Sequence, residues 1–147
     1  MKSKSTPERG LTVLSSYTIH TRRGEYKVID IENGELVARR EFRNAITSDV
    51  LMAFLGICAA HKFKTENGYT EKVYCTNASA YGWAKNKKIN TKVSSPGMIK
   101  LALEKLKDLP VQGFTESVEL WDSKWGNMRH CVDFVLMNKL AIGDLPF

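Results

Sequence analysis

A long run without a charged side chain, Val50 to Ala60, constrains the fold of this chain more than any other feature. Thr47 or Ser48 can cap a helix just before the run, and Asp49 then lies in the first turn, where a negative charge interacts favourably with the helix dipole. A helix that is apolar on all sides is buried on more than one side. We therefore expect this helix to pack between a sheet and other helices, with Gly56 allowing close approach.

Three segments before this helix contain alternating or β-forming residues and predict an antiparallel meander. They cover Leu11 to Ile19, Tyr26 to Ile31 and Glu35 to Phe42, with turns expected at residues 22–24 and 32–34. The second turn contains Asn33-Gly34, a strong hairpin signal between two such runs.

The central helix is expected to end near residues 62–64, and the chain after it predicts two strands and three helices. The strands are expected at Val73 to Tyr74 and Val118 to Trp121, and the helices at Ala78 to Asn86, Pro96 to Lys107 and His130 to Leu140. Asn77 can cap the first of these helices, and Ser95 followed by proline marks the start of the second. The buried stripe of the second helix is predicted to be Ile99, Ala102, Leu103 and Leu106. This order of elements predicts a mixed sheet flanked by helices.

The composition of the 147 residues, 43% hydrophobic and 26% charged, is typical of one soluble globular domain, which we place at residues 11–147. Residues 1–10 are polar and basic, which predicts a flexible tail and no secretory signal. No apolar run approaches the roughly 20 residues needed to span a bilayer. Three scattered cysteines, Cys58, Cys75 and Cys131, lack a CxxC pair, so we expect reduced thiols in a cytoplasmic protein.

The densest basic stretch follows the predicted helix at residues 78–86. Its candidate phosphate contacts are Lys85, Lys87, Lys88, Asn90 and Lys92. The alternative is a solvated helix end, where lysines interact favourably with the dipole. The net charge of +6 favours a nucleic-acid partner over a membrane. Of the three tryptophans, Trp125 is the best candidate for stacking on a base, and core packing is the alternative.

Three short strings, in their order and spacing, resemble the ribonuclease H family of the bacterial type 1 kind. They are Gly24-Glu25-Tyr26 through Gly34-Glu35, Trp83 to Thr91 (WAKNKKINT) and Leu120 to Gly126 (LWDSKWG), and the resemblance covers about Leu11 to Leu140. It implies an α/β, ribonuclease H-like fold with a five-stranded mixed sheet flanked by helices. In that sheet, a three-stranded antiparallel meander is joined by two strands connected through helices.

Members of this family cut the RNA strand of an RNA–DNA hybrid with two divalent ions held by four carboxylates. The resemblance places the four positions on Leu14, Asp49, Thr76 and Asp133. Leu14 and Thr76 carry no carboxylate, so Asp49 and Asp133 are expected to hold no metal or only a weakly bound Mg²⁺ or Mn²⁺. The resemblance therefore implies that two-metal hydrolysis is lost.

Three functions follow from this combination. The first is a catalytically degenerate module that binds an RNA–DNA hybrid or double-stranded RNA through the basic stretch. The second is a protein-interaction scaffold in a larger complex. The third is a residual metal-dependent nuclease that uses Asp49 and Asp133 with Asp122 or Asp30. Cys75 and Cys131 lie near the acidic positions and permit a thiol site, with small buried apolar residues as the alternative.

Overall fold

The computed structural model describes residues 6–91, 94–110 and 113–125, which form a five-stranded mixed sheet flanked by helices. The strands are β1 (Leu11–Thr18), β2 (Arg23–Asp30), β3 (Leu36–Phe42), β4 (Val73–Cys75) and β5 (Val118–Leu120). The helices are α1 (Asp49–Asn67), α2 (Ala78–Asn86), α3 (Pro96–Leu106) and α4 (Phe114–Ser117), followed by a 3₁₀ turn at Ser123–Trp125. The helix predicted at His130 to Leu140 lies outside the described residues.

The sheet has the order β3-β2-β1-β4-β5. β1 to β3 form an antiparallel meander, whereas β4 pairs in parallel with both β1 and β5. The predicted fold class is confirmed. In the described part of the chain, no helix combines the length and the apolar character needed to cross a membrane.

Helix α1 begins where the sequence predicts and ends later than expected. The Ser48 hydroxyl accepts a hydrogen bond from the Leu51 N–H at 3.2 Å, so Ser48 is the cap. The helix continues to Asn67 and ends at Gly68, whose φ of 61° lies in the left-handed region that favours glycine. The predicted end near residues 62–64 was wrong because the polar residues after Ala60 continue the helix along its exposed side.

The main core lies between one face of the sheet and α1. Val13 and Val28 contribute from the strands, and Phe54 and Ile57 of α1 are fully buried against them. Small residues of α2 and α3, including Ala80 and Ala102, cover α1 from the other side. The charge-free helix is thus buried between the sheet and other helices, as its composition predicts.

The opposite face of the sheet carries a second, smaller core that we call the aromatic cluster. It comprises the rings of Tyr74, Trp121 and Trp125, together with the aliphatic side chains of Leu14, Ile29 and Ile31. The three rings meet edge to face, with centroids 5.8 Å apart for both Tyr74 pairs and 5.1 Å apart for the two indoles. Edge-to-face contact is a preferred arrangement for aromatic rings.

Three details of the secondary structure differ from prediction. The first hairpin turn occupies residues 19–22, so Arg23 and Gly24 belong to β2. The buried residues of α3 are Met98, Ala102 and Leu106, whereas Leu103 is 46% exposed. The α3 stripe is thus rotated from the predicted one, because α3 packs against α1 and its Leu103 side faces away from that contact. The four-residue α4 was not predicted, since it is too short to show a helical period.

Residues 6–10, within the predicted tail, are attached to the described domain. The Gly10 carbonyl accepts a hydrogen bond from the Ile31 N–H at 2.9 Å. The Arg9 guanidinium forms an ion pair with Glu32 at 2.9 Å. The domain boundary at residue 10 stays a prediction.

Gly56 provides a test of the contact between α1 and the sheet. A Cβ atom at this position would lie 2.4 Å from the Val13 Cγ1 atom, and Val13 is buried in a strand where it has little freedom to move. We expect Gly56→Ala to lower the free energy of unfolding by about 1–3 kcal/mol, because overpacking strain exceeds the gain in helix propensity.

Gly82 in α2 is the matched control, because a Cβ there meets nothing within 4 Å. Gly82→Ala should raise the free energy of unfolding by about 0.5–1 kcal/mol. Urea unfolding followed by circular dichroism measures both variants. Equal effects of the two substitutions would contradict the close approach at Gly56.

Candidate functional site

The start of α1 meets β1 near the carboxyl end of that strand. Asp49, in the first turn of α1, accepts a hydrogen bond at its Oδ1 atom from the Ser15 hydroxyl at 3.0 Å. We call this pair the β1–α1 corner. Asp49 is exposed and Ser15 is partly buried, so the corner is open to solvent.

Leu14 does not lie beside Asp49. Consecutive strand residues face opposite sides of a sheet, so Leu14 enters the aromatic cluster while Val13 and Ser15 share the α1 face. The structure therefore separates Leu14 from Asp49 and brings Ser15 to the carboxylate. The alternation of β1 could have predicted that Ser15 faces α1. Leu11 and Val13 are buried on that face, and Ser15 follows them with the same period of two.

Thr76 lies at the end of β4, the strand next to β1, and its side chain is exposed. The following residue, Asn77, caps α2 as predicted, with its Oδ1 atom accepting a hydrogen bond from the Ala80 N–H at 2.9 Å. Cys75 is 1% exposed, and this burial raises the pKa of its thiol to about 12. Cys75 is therefore a neutral, buried thiol at neutral pH, which agrees with the apolar alternative; Cys131 lies outside the described residues.

The other acidic residues considered from the sequence do not all lie at this corner. Asp30 pairs with Leu11, four residues from Ser15 along β1, which corresponds to roughly 13 Å. Asp122 follows β5 and its Oδ1 atom accepts a hydrogen bond from the Lys124 N–H at 2.9 Å. Asp133 lies outside the described residues.

A metal ion has few ligands in the part of the chain that the structure describes. Within residues 6–91, 94–110 and 113–125, no three or more His, Cys, Asp or Glu side chains come close enough to hold a metal ion. At the β1–α1 corner, Asp49 supplies one carboxylate and Ser15 a hydroxyl. Mg²⁺ is usually held by one or two carboxylates with several waters, and two-metal hydrolysis needs a larger acidic set.

The predicted basic stretch divides into residues with different roles. Lys87 is in the left-handed conformation, with φ 56°, and ends α2. Its ammonium group donates hydrogen bonds to the backbone carbonyls of Leu106, at 2.8 Å, and of Leu109. Lys87 therefore joins the end of α2 to the end of α3 and is not free for a phosphate.

Other members of the stretch remain available to solvent. Lys85, in the last turn of α2, Lys88 and Asn90 are all exposed. Lys92 lies outside the described residues. Among the described residues of the stretch, Lys85, Lys88 and Asn90 are thus exposed, and we call these three residues the basic end of α2.

Trp125 is 8% exposed and forms part of the aromatic cluster. The prediction that Trp125 stacks on a base does not agree with this burial, because both Tyr74 and Trp121 contact its ring edge to face. Trp83 is half-buried and its ring lies 6.3 Å from the ring of Phe54 in α1. Trp83 therefore packs against the main core, and Trp125 belongs to the smaller core on the opposite face of the sheet.

Comparison with solved structures identifies the fold. The chain is similar to RNase H1 from the halophilic archaeon Halobacterium salinarum NRC-1, with a TM-score of 0.53 and 9% sequence identity, over 92% of this chain and 98% of that one. It is also similar to the N-terminal RNase H domain of Rv2228c from Mycobacterium tuberculosis, with a TM-score of 0.44 and 12% identity, over 88% and 98% of the two chains.

The fold is therefore ribonuclease H-like, as the short strings of the sequence implied. At this level of identity, the likeness defines the fold alone. No protein-family model matches the chain. A search of curated proteins also finds no match.

The two faces of β1 can be distinguished by placing a carboxylate on each. Leu14 is 7% exposed, so Leu14→Asp should lower the free energy of unfolding by more than about 3 kcal/mol through burial of an unpaired charge. Ser15→Asp should change it by less than about 1 kcal/mol, because the new side chain faces the open corner at Asp49. Urea unfolding measures both changes.

Added Mn²⁺ provides a second measurement on the same variants. Ser15→Asp creates two adjacent carboxylates, so Mn²⁺ should raise its melting temperature more than that of the unmodified chain, because the ion binds the folded state. The structure would be contradicted if Leu14→Asp were the variant that gained Mn²⁺ stabilisation.

Proposed function

We propose that this chain is a ribonuclease H-like nucleic-acid-binding module that does not carry out two-metal hydrolysis. The observation that carries this proposal is the β1–α1 corner, where the neighbour of Asp49 on β1 is the Ser15 hydroxyl instead of a second carboxylate. A hydroxyl neither neutralises a divalent ion nor provides the bridging oxygen that holds two ions together. The proposed ligand is an RNA–DNA hybrid or double-stranded RNA.

The basic end of α2 supports the binding half of the proposal. Asn77 caps α2 just after β4. This nine-residue helix is roughly 13 Å long and carries Lys85 in its last turn, with Lys88 two residues beyond its end. The exposed lysines thus lie one short helix away from the strand end at Thr76. Lysine ammonium groups bind phosphates without reading the base sequence, so we propose recognition of the duplex backbone.

Lys87 has a structural role that differs from that of the two exposed lysines beside it. Because the Lys87 ammonium group contacts the carbonyls at the end of α3, it fixes the position of the segment that carries Lys88 and Asn90. We therefore assign Lys85 and Lys88 to phosphate contacts and Lys87 to positioning.

Binding is tested by electrophoretic mobility shift with an RNA–DNA hybrid at several salt concentrations. Replacing both Lys85 and Lys88 by alanine removes two phosphate contacts, so the slope of log affinity against log salt should fall by about 2. The control replaces Lys27 and Arg43 by alanine, which removes the same charge from the β2–β3 side of the sheet, where both pair with glutamates.

The control variant should keep the salt slope of the unmodified chain. Equal losses in the two double variants would assign binding to net charge and not to the basic end of α2. Failure of the unmodified chain to bind at low salt, where phosphate contacts are strongest, would exclude the proposed function.

Hydrolysis is tested separately with the same hybrid in Mg²⁺ and in Mn²⁺. We expect no cleavage of the RNA strand, because the neighbour of Asp49 on β1 is a hydroxyl, where two-metal hydrolysis needs a second carboxylate. Asp49→Asn and Asp133→Asn are the accompanying variants, since they preserve size and remove the charge.

Cleavage that disappears in both variants would establish a residual nuclease and contradict the loss of hydrolysis. Cleavage that is unchanged in both would exclude these two aspartates as its source. Binding and hydrolysis are thus measured independently on one substrate.

A further inference from the structure

A cavity of about 530 Å³ lies between α1, the β2–β3 part of the sheet and the end of α3. It is distinct from the β1–α1 corner and from the basic end of α2, because it includes no residue of either. Its volume falls within the range of pockets that bind small organic molecules.

The floor of this cavity is apolar and partly aromatic. Leu55 and Cys58 of α1 are buried there, and the rings of Tyr26 and Phe42 line it from the sheet. Burial raises the pKa of the Cys58 thiol to about 12, so this sulfur is neutral and adds to the apolar floor. Such a surface suits a flat hydrocarbon ring.

The rim carries an excess of positive charge. Arg40, Lys62 and Lys105 line the cavity together with two carboxylates, Glu66 and Asp108. Among the described residues, none of the three cations forms an ion pair, and the Arg40 guanidinium instead lies 4.6 Å from the centroid of the Phe42 ring. Its fork of N–H donors therefore stays available for an oxyanion.

His61 also contributes to the lining of this cavity. Its Nδ1 atom is buried and has no hydrogen-bond partner among the described residues. Burial, with Lys64 and Lys87 nearby, lowers the pKa of His61, so its ring is neutral at neutral pH.

We propose that this cavity binds a small monocarboxylate with an aromatic body. The ring lies on the floor formed by Leu55, Cys58 and Phe42, and the carboxylate lies at the rim with Arg40 and Lys105. Three cations against two carboxylates leave one positive charge in excess, which matches one carboxylate. This site is independent of the proposed nucleic-acid binding.

The test uses 2-naphthoate, with 2-naphthalenemethanol as the probe that has the same ring and no charge. Isothermal titration and ¹⁵N-resolved NMR of the full chain measure affinity and location. We expect saturable 1:1 binding of naphthoate with a Kd below about 1 mM, as its size allows. The backbone signals of Ala59, Lys62 and Lys105 should shift, and the alcohol should bind at least about tenfold more weakly.

Variants of the rim identify the carboxylate contact. Arg40→Gln and Lys105→Gln should each weaken naphthoate binding about two- to fivefold, the range for partly exposed charge pairs. Lys100→Gln is the control, because Lys100 is exposed on the same helix and does not line the cavity. Denaturant midpoints equal to that of the unmodified chain show that each variant is folded.

Four results would overturn the proposal. They are the absence of saturable naphthoate binding, equal affinity for the alcohol, equal losses in Lys105→Gln and Lys100→Gln, and shifted NMR signals confined to residues outside the cavity. None of these results bears on duplex binding, which is measured with other residues and another ligand.

Discussion

The close contact between α1 and β1 at Gly56 and Val13 fixes the geometry on which the rest of the structure depends. Asp49 lies two helical turns before Gly56, and Ser15 lies two residues after Val13. Moving back along α1 thus corresponds to moving forward along β1, so the helix runs antiparallel to the strand. This direction, together with the absence of a Cβ atom at Gly56, places the Asp49 carboxylate at the Ser15 hydroxyl.

The two faces of the sheet then have separate roles. The face under α1 holds the main core and leads to the β1–α1 corner, while the other face holds the aromatic cluster. Leu14 and Trp125 both belong to that cluster, so neither reaches the corner or the solvent. Because both side chains are buried in the cluster, Leu14 does not lie beside Asp49 and Trp125 does not offer its ring to a base.

In the basic stretch, tertiary contacts give neighbouring lysines different roles. In sequence, Lys85, Lys87 and Lys88 are equivalent donors near the end of one helix. In the structure, the left-handed backbone of Lys87 turns the chain, and its ammonium group donates hydrogen bonds to the Leu106 and Leu109 carbonyls at the end of α3. Lys85 and Lys88 remain exposed. Fewer lysines are therefore available to bind a polyanion than the sequence of the basic stretch contains.

The sequence by itself determined the order of the five strands and of α1 to α3, the burial of the charge-free helix, the Asn77 cap and the ribonuclease H-like fold. These follow from local periodicity, capping chemistry and short strings. Only the tertiary structure decided that Ser15 faces Asp49, that Trp125 is buried and that a cavity opens beside Arg40 and Lys105. Those outcomes depend on which face of a strand meets a helix and on contacts between residues far apart in the chain. A one-residue change of register reverses the direction of every side chain in a strand, and a family resemblance between short strings does not fix register that finely.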